Sequence, residues 1–332
     1  MTRVLRSGRR SRPANRGAAL LLAMLTVTLV ATLAAAAMWQ QWRATEVEMA
    51  ERQRMQASWI LTGALDWSRL ILREDARANQ NSGNGDHLGE PWATPLEEAR
   101  LTSFLAVDKN NNTDEVMQAF LSGEIIDLQS RLNFMNLVRM VNDGTQSKAT
   151  LSDTDLRAFR RLFELLNLPE AELTAAANEL VRTQNLAMGD PKPSPTAVSP
   201  SKLAHLAWLG IRPGTLAVLE PHVVVLPTRT PLNINTASKE VLAASVPGLD
   251  MARAQQLVSE RERTPFKTLA DAEKLIANEQ VQLSDLHHGT RSRFFEIRGR
   301  LRLDDVVIEE RSLVVRSGLK VQVVWRERIA GT

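Results

Sequence analysis

The sequence has no cysteine, which excludes a disulfide framework, a thiolate metal site and a cysteine nucleophile. That absence does not choose a compartment, because a chain of 332 residues is long enough to fold without covalent staples. Tyrosine is missing too, and aromatic residues make up only 5%. No acidic residue occurs among the first sixteen positions, which carry six arginines (Arg3, Arg6, Arg9, Arg10, Arg12 and Arg16). Removing those six from the 41 basic residues leaves 35 against 38 acidic ones, a net of −3. The high isoelectric point therefore belongs to the N-terminus, and the bulk of the chain lacks the cationic footprint of a nucleic-acid-binding protein. At 44% apolar and 24% charged, the composition is that of a folded protein.

Charge is also missing from Ala18 to Trp42, a run of leucine, alanine, valine and methionine. Ala18–Trp39 alone would measure about 33 Å as a helix, against a hydrocarbon core of roughly 30 Å. Trp39 and Trp42 stand at its far end, where indoles favour the membrane interface, and Arg43 closes the run. A buried soluble helix would keep a polar face, and this one has only scattered threonines. The arginines in front predict a cytoplasmic N-terminus, with residues 43–332 across the membrane. Small residues at Ala34–Ala37 offer the one place where an ordinary signal could be cut, although the apolar core is long for a cleaved signal.

No proline falls between Pro13 and Pro91, and Gly63 is the only glycine between Gly17 and Gly83. Past Arg43 the helical period continues, with Val47, Ala50, Ala57, Leu61, Ala64, Trp67 and Ile71 on one expected face. The pattern ends in the polar run 79–85. It predicts one helix from Ala18 to about Ala78, roughly 90 Å long, hydrophobic all round at first and amphipathic afterwards.

A basic leader ending in Arg16-Gly17, an uncharged segment and then a long amphipathic helix resemble the type IV pilins and pseudopilins. The resemblance implies cleavage by a prepilin peptidase between Gly17 and Ala18, with methylation of the new amine on Ala18. Most of that family carry glutamate at the fifth mature position. Here it is Leu22, a departure typical of the K-type minor pseudopilins of type II secretion systems.

Two further segments carry the same resemblance. Gly123-Glu124-Ile125-Ile126-Asp127-Leu128-Gln129-Ser130-Arg131-Leu132-Asn133 is similar to a G-x-I-x-D-x-x-x-R-x-N stretch of the K-type chains, with Ile125–Leu128 expected as a strand. Asn233-Ile234-Asn235-Thr236-Ala237, followed by Pro247-Gly248-Leu249, is also found in them and reads as a helix-hairpin-helix unit. Such a hairpin either clamps a DNA backbone or serves as a compact packing module. Asp250 puts a carboxylate in the turn, and the chain beyond the leader is net acidic, so the packing module is the better reading.

Elsewhere, Leu96–Leu105 reads as a short helix. Asp108, Asn110, Asn112 and Asp114 have the spacing of an EF-hand start, but Thr113 replaces the turn glycine and Ala119 the bidentate glutamate. Residues 152–187 read as two helices, with Ser152 and Asp155 as a capping-box-like start and Pro169 opening the second. Four prolines mark 189–201 as a linker, and 202–219 is mostly helical with a break at Arg212-Pro213-Gly214. Phe294–Leu303, Val306–Arg316 and Leu319–Arg328 read as an antiparallel meander.

No catalytic constellation emerges from this sequence. It has no P-loop and no G-x-S-x-G, and the adjacent His287 and His288 cannot share a metal as an i, i+4 pair would. The resemblance would bring a calcium site made by an aspartate-rich stretch. The corresponding residues here are Val181-Arg182-Thr183-Gln184-Asn185-Leu186, without acidic ligands, so neither calcium nor any other cofactor is expected.

The expected fold is α+β. It is type IV pilin-like, with a long N-terminal transmembrane helix, an antiparallel sheet and a large all-α insertion carrying the helix-hairpin-helix-like segment. Residues 1–17 would be a cleaved cytoplasmic leader and 18–42 the transmembrane part. Residues 43–149 would form the amphipathic helix and the first part of the head, 150–290 the insertion, and 291–332 the closing strands. The implied function is that of a non-enzymatic minor pseudopilin at the tip of an inner-membrane-anchored, periplasmic pseudopilus. Its expected partners are the I- and J-type minor pseudopilins, the major pseudopilin, the prepilin peptidase and inner-membrane lipid, without nucleic acid. The alternative is a membrane-anchored helix-hairpin-helix DNA-binding protein of competence type.

Overall fold

A computed structural model describes residues 16–101, 119–142, 147–189, 198–276, 281, 283–303 and 306–329. The EF-hand-like positions 108–114, the first fifteen residues and most of the proline-rich linker lie outside the described residues. The chain divides into two compact units, Met1–Trp59 and Ile60–Thr332. Helix α1 (Arg16–Ser82) supplies the described structure of the first unit and opens the second. It stops where Gly83 turns to φ +70° and donates its amide to the Asn79 carbonyl at 3.0 Å, a left-handed stop that a side chain would strain.

The strands are β1 (Leu96–Arg100), β2 (Ala119–Asp127), β3 (Leu132–Asn133), β4 (Val138–Asn142) and β5 (Ser147–Leu151). Helices α2 (Asp153–Leu165), α3 (Glu170–Gly189) and α4 (Pro213–Leu219) follow, then the two-residue strands β6 (Val223–Val224) and β7 (Leu232–Asn233). Next come α5 (Lys239–Ser245), α6 (Met251–Arg263), α7 (Leu269–Ile276) and β8 (His288–Gly289). The chain closes with β9 (Phe294–Leu303), β10 (Val306–Ser317) and β11 (Lys320–Ile329).

One five-stranded antiparallel sheet, in the order β1-β2-β9-β10-β11, forms the pilin-like part. The three closing strands match the expected meander to within a residue, and Gly318 makes the last turn at φ +58°. Sheet and α1 share a core in which Leu65 and Leu72 meet Trp92, Phe295, Ile297, Val314 and Val321. Trp92 and Phe295 cross edge-on at 5.3 Å. Close approach of α1 needs small residues. Gly123 faces Gly299 across β2 and β9, and a Cβ on Gly299 would come within 3.2 Å of Leu61.

The inserted module buries a larger core. Phe134, Phe159, Leu162, Phe163, Leu173, Leu180, Leu242 and Leu257 belong to it, with Phe134 edge-on to Phe159 at 5.5 Å.

Four expectations need correction. Of the helix expected over Leu96–Leu105, Leu96–Arg100 is instead a strand, pairing Ala99 with Leu121 and Arg100 with Phe120, and 102–105 lie outside the described residues. Its Leu-Glu-Glu-Ala-Arg sequence favours a helix intrinsically, but the open edge of β2 supplies ladder bonds that a short exposed helix cannot match. The expected strand at Ile125–Leu128 is instead the end of the longer β2, and Leu128 begins a 3-10 turn. The inserted module is helical but not purely so. Its core begins at Leu132 and includes the β4–β5 hairpin. Finally, the buried stripe of α1 within the second unit is Leu61, Leu65, Leu72 and Ala76, while Trp67 is 65% exposed. The stripe also takes in Asp75 and Asn79, which polarity alone would have turned to solvent.

Leu72 is fully buried between α1 and the sheet. Leu72→Ala should cost about 3 kcal/mol by the large-to-small rule. Denaturant unfolding of the purified chain checks this, and a loss under 1 kcal/mol would mean that α1 does not contribute a packed face.

Candidate assembly sites

The apolar stem comes first. Among residues 18–42 every side chain is exposed, including Leu20, Leu22, Leu25, Val27, Trp39 and Trp42. The threonines that interrupt the run satisfy themselves. Thr26, Thr28 and Thr32 donate their hydroxyls to the carbonyls of Ala23, Leu25 and Leu29 at 2.9–3.0 Å. A hydroxyl used this way leaves no bare donor in hydrocarbon. This is one helix long and apolar enough to cross a membrane, and it can anchor the chain by a single pass. Gly17, Ala18 and Leu22 all lie within it, so the expected processing junction falls in the first turns of α1.

The second site is a buried polar joint. Arg316 of β10 donates to Asp75 of α1 at 2.7 Å and pairs with Asp86 in the loop after it. Asp86 accepts the amide of Ser292 at 2.6 Å. The Ser292 hydroxyl reaches Asp127 at the end of β2, also at 2.6 Å. Asp127 further accepts from Thr236 at 2.6 Å, from Asn233 at 3.0 Å and from the Gln129 amide at 2.8 Å. Thus α1, the sheet and the entry to the helix-hairpin-helix region are tied through one continuous network. The two sequence segments singled out for resemblance, 123–133 and 233–237, converge there. Burial pushes the Asp127 carboxyl up to about 6, opposed by its donors from Ser292, Thr236 and Gln129.

The other asparagines of those segments brace the backbone. Asn133 accepts the amides of Met135 and Leu226 at 3.1 Å and donates to the Thr228 carbonyl at 2.7 Å. Asn235 makes a reciprocal pair with the Phe266 backbone, 2.9 Å each way. Apart from the Met135 amide two residues on, these partners lie 31 to 95 residues away and could not be read from spacing.

Helices α5 and α6 form the expected hairpin. Two arginines brace it from within the fold. Arg161 of α2 donates to the carbonyls of Ala243 and Val246 at 2.5 and 2.7 Å, closing the end of α5. Arg261 is buried, donating to Ile234 and Ala237 at 2.7 and 2.6 Å. Asp250 caps α6 by accepting the Arg253 amide at 2.8 Å. The arrangement favours packing over phosphate capture.

Val181–Leu186 lies within α3, and Asn185 there holds Ala149 of β5 by bonds of 2.9 and 3.0 Å. That stretch does not fit a calcium ion. Among the described residues the one close acidic group is Asp75, Asp86 and Glu90. Arg316 neutralises the first two, and Glu90 accepts from Asn79 and Trp92, both at 2.7 Å. The Ser152 hydroxyl turns to Asp155 rather than capping an amide. Asp155 also takes Arg229 at 2.7 Å and stands 3.4 Å from His287, a contact with no local signature.

This frame of apolar stem, antiparallel sheet and inserted helical module can now be set beside known proteins. The family described as type II secretion system (T2SS), protein K, matches residues 232–290. Type II secretion system protein K of Pectobacterium carotovorum subsp. carotovorum is 26% identical over 95% of this chain and 97% of its own. The chain is a homologue of type II secretion system protein K. The protein K of Pseudomonas aeruginosa is 25% identical, covering 87% of this chain and 85% of its own. The crystal structure of the GspK-GspI-GspJ complex from enterotoxigenic Escherichia coli contains a chain with the same fold. Its TM-score is 0.61 at 17% identity, covering 85% of this chain and 99% of that one. As a protein K homologue, the chain is a minor pseudopilin component of the type II secretion pseudopilus.

Two measurements test the joint. Arg316→Met leaves Asp75 and Asp86 buried and facing each other, at a cost of about 3–5 kcal/mol. Adding Asp75→Asn should recover part of the loss, and full stability in Arg316→Met would show the joint to be dispensable. The second measurement concerns His288, whose burial, reinforced by the field of His287, pushes its pKa down to about 4. The unfolded chain binds a proton near 6.5 and the folded chain does not, so stability present above 6.5 is lost as pH falls through 4. Between pH 7 and 5 the native chain should lose about 2 kcal/mol relative to His288→Gln, which cannot titrate. Parallel stability curves for the two proteins would refute a neutral buried His288.

Proposed function

We propose that this minor pseudopilin caps the pseudopilus, joined there to I- and J-type minor pseudopilins, after removal of residues 1–17 and methylation of Ala18. The observation that carries the reading is Leu22. In an apolar stem a carboxylate needs a partner, since an unpaired charge costs roughly 2.5–3.5 kcal/mol on insertion scales. A neighbouring subunit ahead could supply that partner as its N-terminal amine. A subunit with nothing ahead has no amine to meet, and leucine suits it. The large helical insertion supports the same place, because a head of that bulk would obstruct another head above it. The chain of like fold comes from a complex of GspK with GspI and GspJ, which supports the choice of partners. The cationic leader favours a cytoplasmic N-terminus and a periplasmic head.

Co-production with a prepilin peptidase should reduce the intact mass by residues 1–17 and add one methyl group. Gly17→Val should block the cut, because a branched side chain crowds the scissile bond. Unchanged mass with an active peptidase present would overturn the processing step. Leu22→Glu should leave assembly unchanged or weaken it, and crosslinking should find the subunit at one filament end. Its distribution along the shaft would refute the tip assignment.

A further inference from the structure

A cleft of about 300 Å³ opens between the helical module and the sheet. Leu203, Leu216 and Val223 wall it on one side, and Leu313 and Trp325 on the other. Four cations reach its lining. Three are held by carboxylates: Arg298 by Glu296 at 2.6 Å and Glu124 at 3.2 Å, and Lys202 and Arg311 both by Glu327. The fourth is Arg131. It is half-buried, and among the described residues no hydrogen-bond acceptor or carboxylate lies within pairing distance of its guanidinium. Glu296 and Glu220 act on it only through their longer-range fields.

A second observation falls in the same cleft. The indole Nε1 of Trp325 is sealed from solvent and has no acceptor. A buried donor left unmet costs folding free energy, so native structures keep few of them without cause. The segment that supplies Arg131 sharpens the point. Of its Asp127, Arg131 and Asn133, the first and last are fully engaged inside the fold, whereas the arginine has no internal role.

Both unmet groups are donors, so the missing piece is an acceptor with negative charge. Arg131, Lys202, Arg298 and Arg311 face Glu220 and Glu296 in the lining, and Glu327 adjoins it. With Glu124 on Arg298 the four cations meet four carboxylates, and so balanced a site suits a singly charged carboxylate better than a doubly charged phosphate. The planar guanidinium can take a carboxylate in two parallel bonds, and the leucine walls can cover a short aliphatic stem.

We propose that this cleft binds a carboxylate, anchored by the Arg131 guanidinium, and that the bound group bridges the helical module to the sheet. The carboxylate comes either from an acidic side chain of a partner polypeptide or from a free small organic acid.

The test uses the full chain in detergent, labelled with 5-fluorotryptophan, and fluorine NMR. Trp325→Phe identifies one signal among those of the seven tryptophans. The probes are acetate and an N-acetylated, C-amidated Gly-Glu-Gly peptide, each against sodium chloride at equal ionic strength. The Trp325 signal should shift saturably, and binding should weaken by about tenfold or more in Arg131→Gln. Saturation by acetate assigns a free acid, and saturation by the peptide alone assigns a partner segment. Arg131→Met serves as a second variant. With an unpaired half-buried charge removed, the ligand-free protein should melt about 2–4 °C higher while losing the response. A shift equal to that of chloride, no saturable shift with either probe, an unchanged response in Arg131→Gln, or a lower melting temperature in Arg131→Met would overturn the proposal.

Discussion

Asp86 accepts from both ends of the fold at once, from Arg316 on the sheet and from the Ser292 amide that leads into it. Around that carboxylate the C-terminal part of α1, the sheet and the inserted module are held in one register. The constraint is electrostatic and severe. Asp75, Asp86, Asp127 and Arg316 are all buried, and each is tolerable only because the others and a few hydroxyls and amides compensate it. A hydrophobic joint of similar volume could be as stable, but it would accept small sliding shifts. A network of directed bonds fixes one arrangement.

That rigidity suits a subunit whose work is mechanical. Asn233 and Thr236, at the mouth of the helix-hairpin-helix region, tie it directly to Asp127. Gln129 adds bonds to the Pro231 carbonyl at 2.9 Å and from the Arg293 amide at 2.7 Å. A motif shape associated elsewhere with DNA thus serves here as a bracket, with its Arg261 and the neighbouring Arg161 of α2 turned inward onto carbonyls.

Much of this was legible beforehand. The membrane segment follows from one absence, the missing charge between Ala18 and Trp42, because lipid tolerates no substitute. The three closing strands were readable to within a residue, since alternation and turn residues reinforce each other there. Helices α2, α3, α5 and α6 followed from period, caps and prolines. The failures have a common cause. Leu96–Arg100 is a strand because β2 offers an edge, and the α1 stripe rolls to bury Asp75 because Arg316 awaits it 241 residues later.

By itself, then, the sequence determined what depends on neighbours within a turn or two: the apolar helix, most of the element types and the leucine at position 22. Composition and local period carry that information. Only the tertiary structure decided which polar residues are buried and with whom, and it brought Asp127 and Asn233 to 3.0 Å across 106 residues. It likewise left Arg131 and the Trp325 indole without acceptors in one cleft. The worth of a polar group inside a protein depends on a partner distant in sequence, and no local pattern encodes that distance.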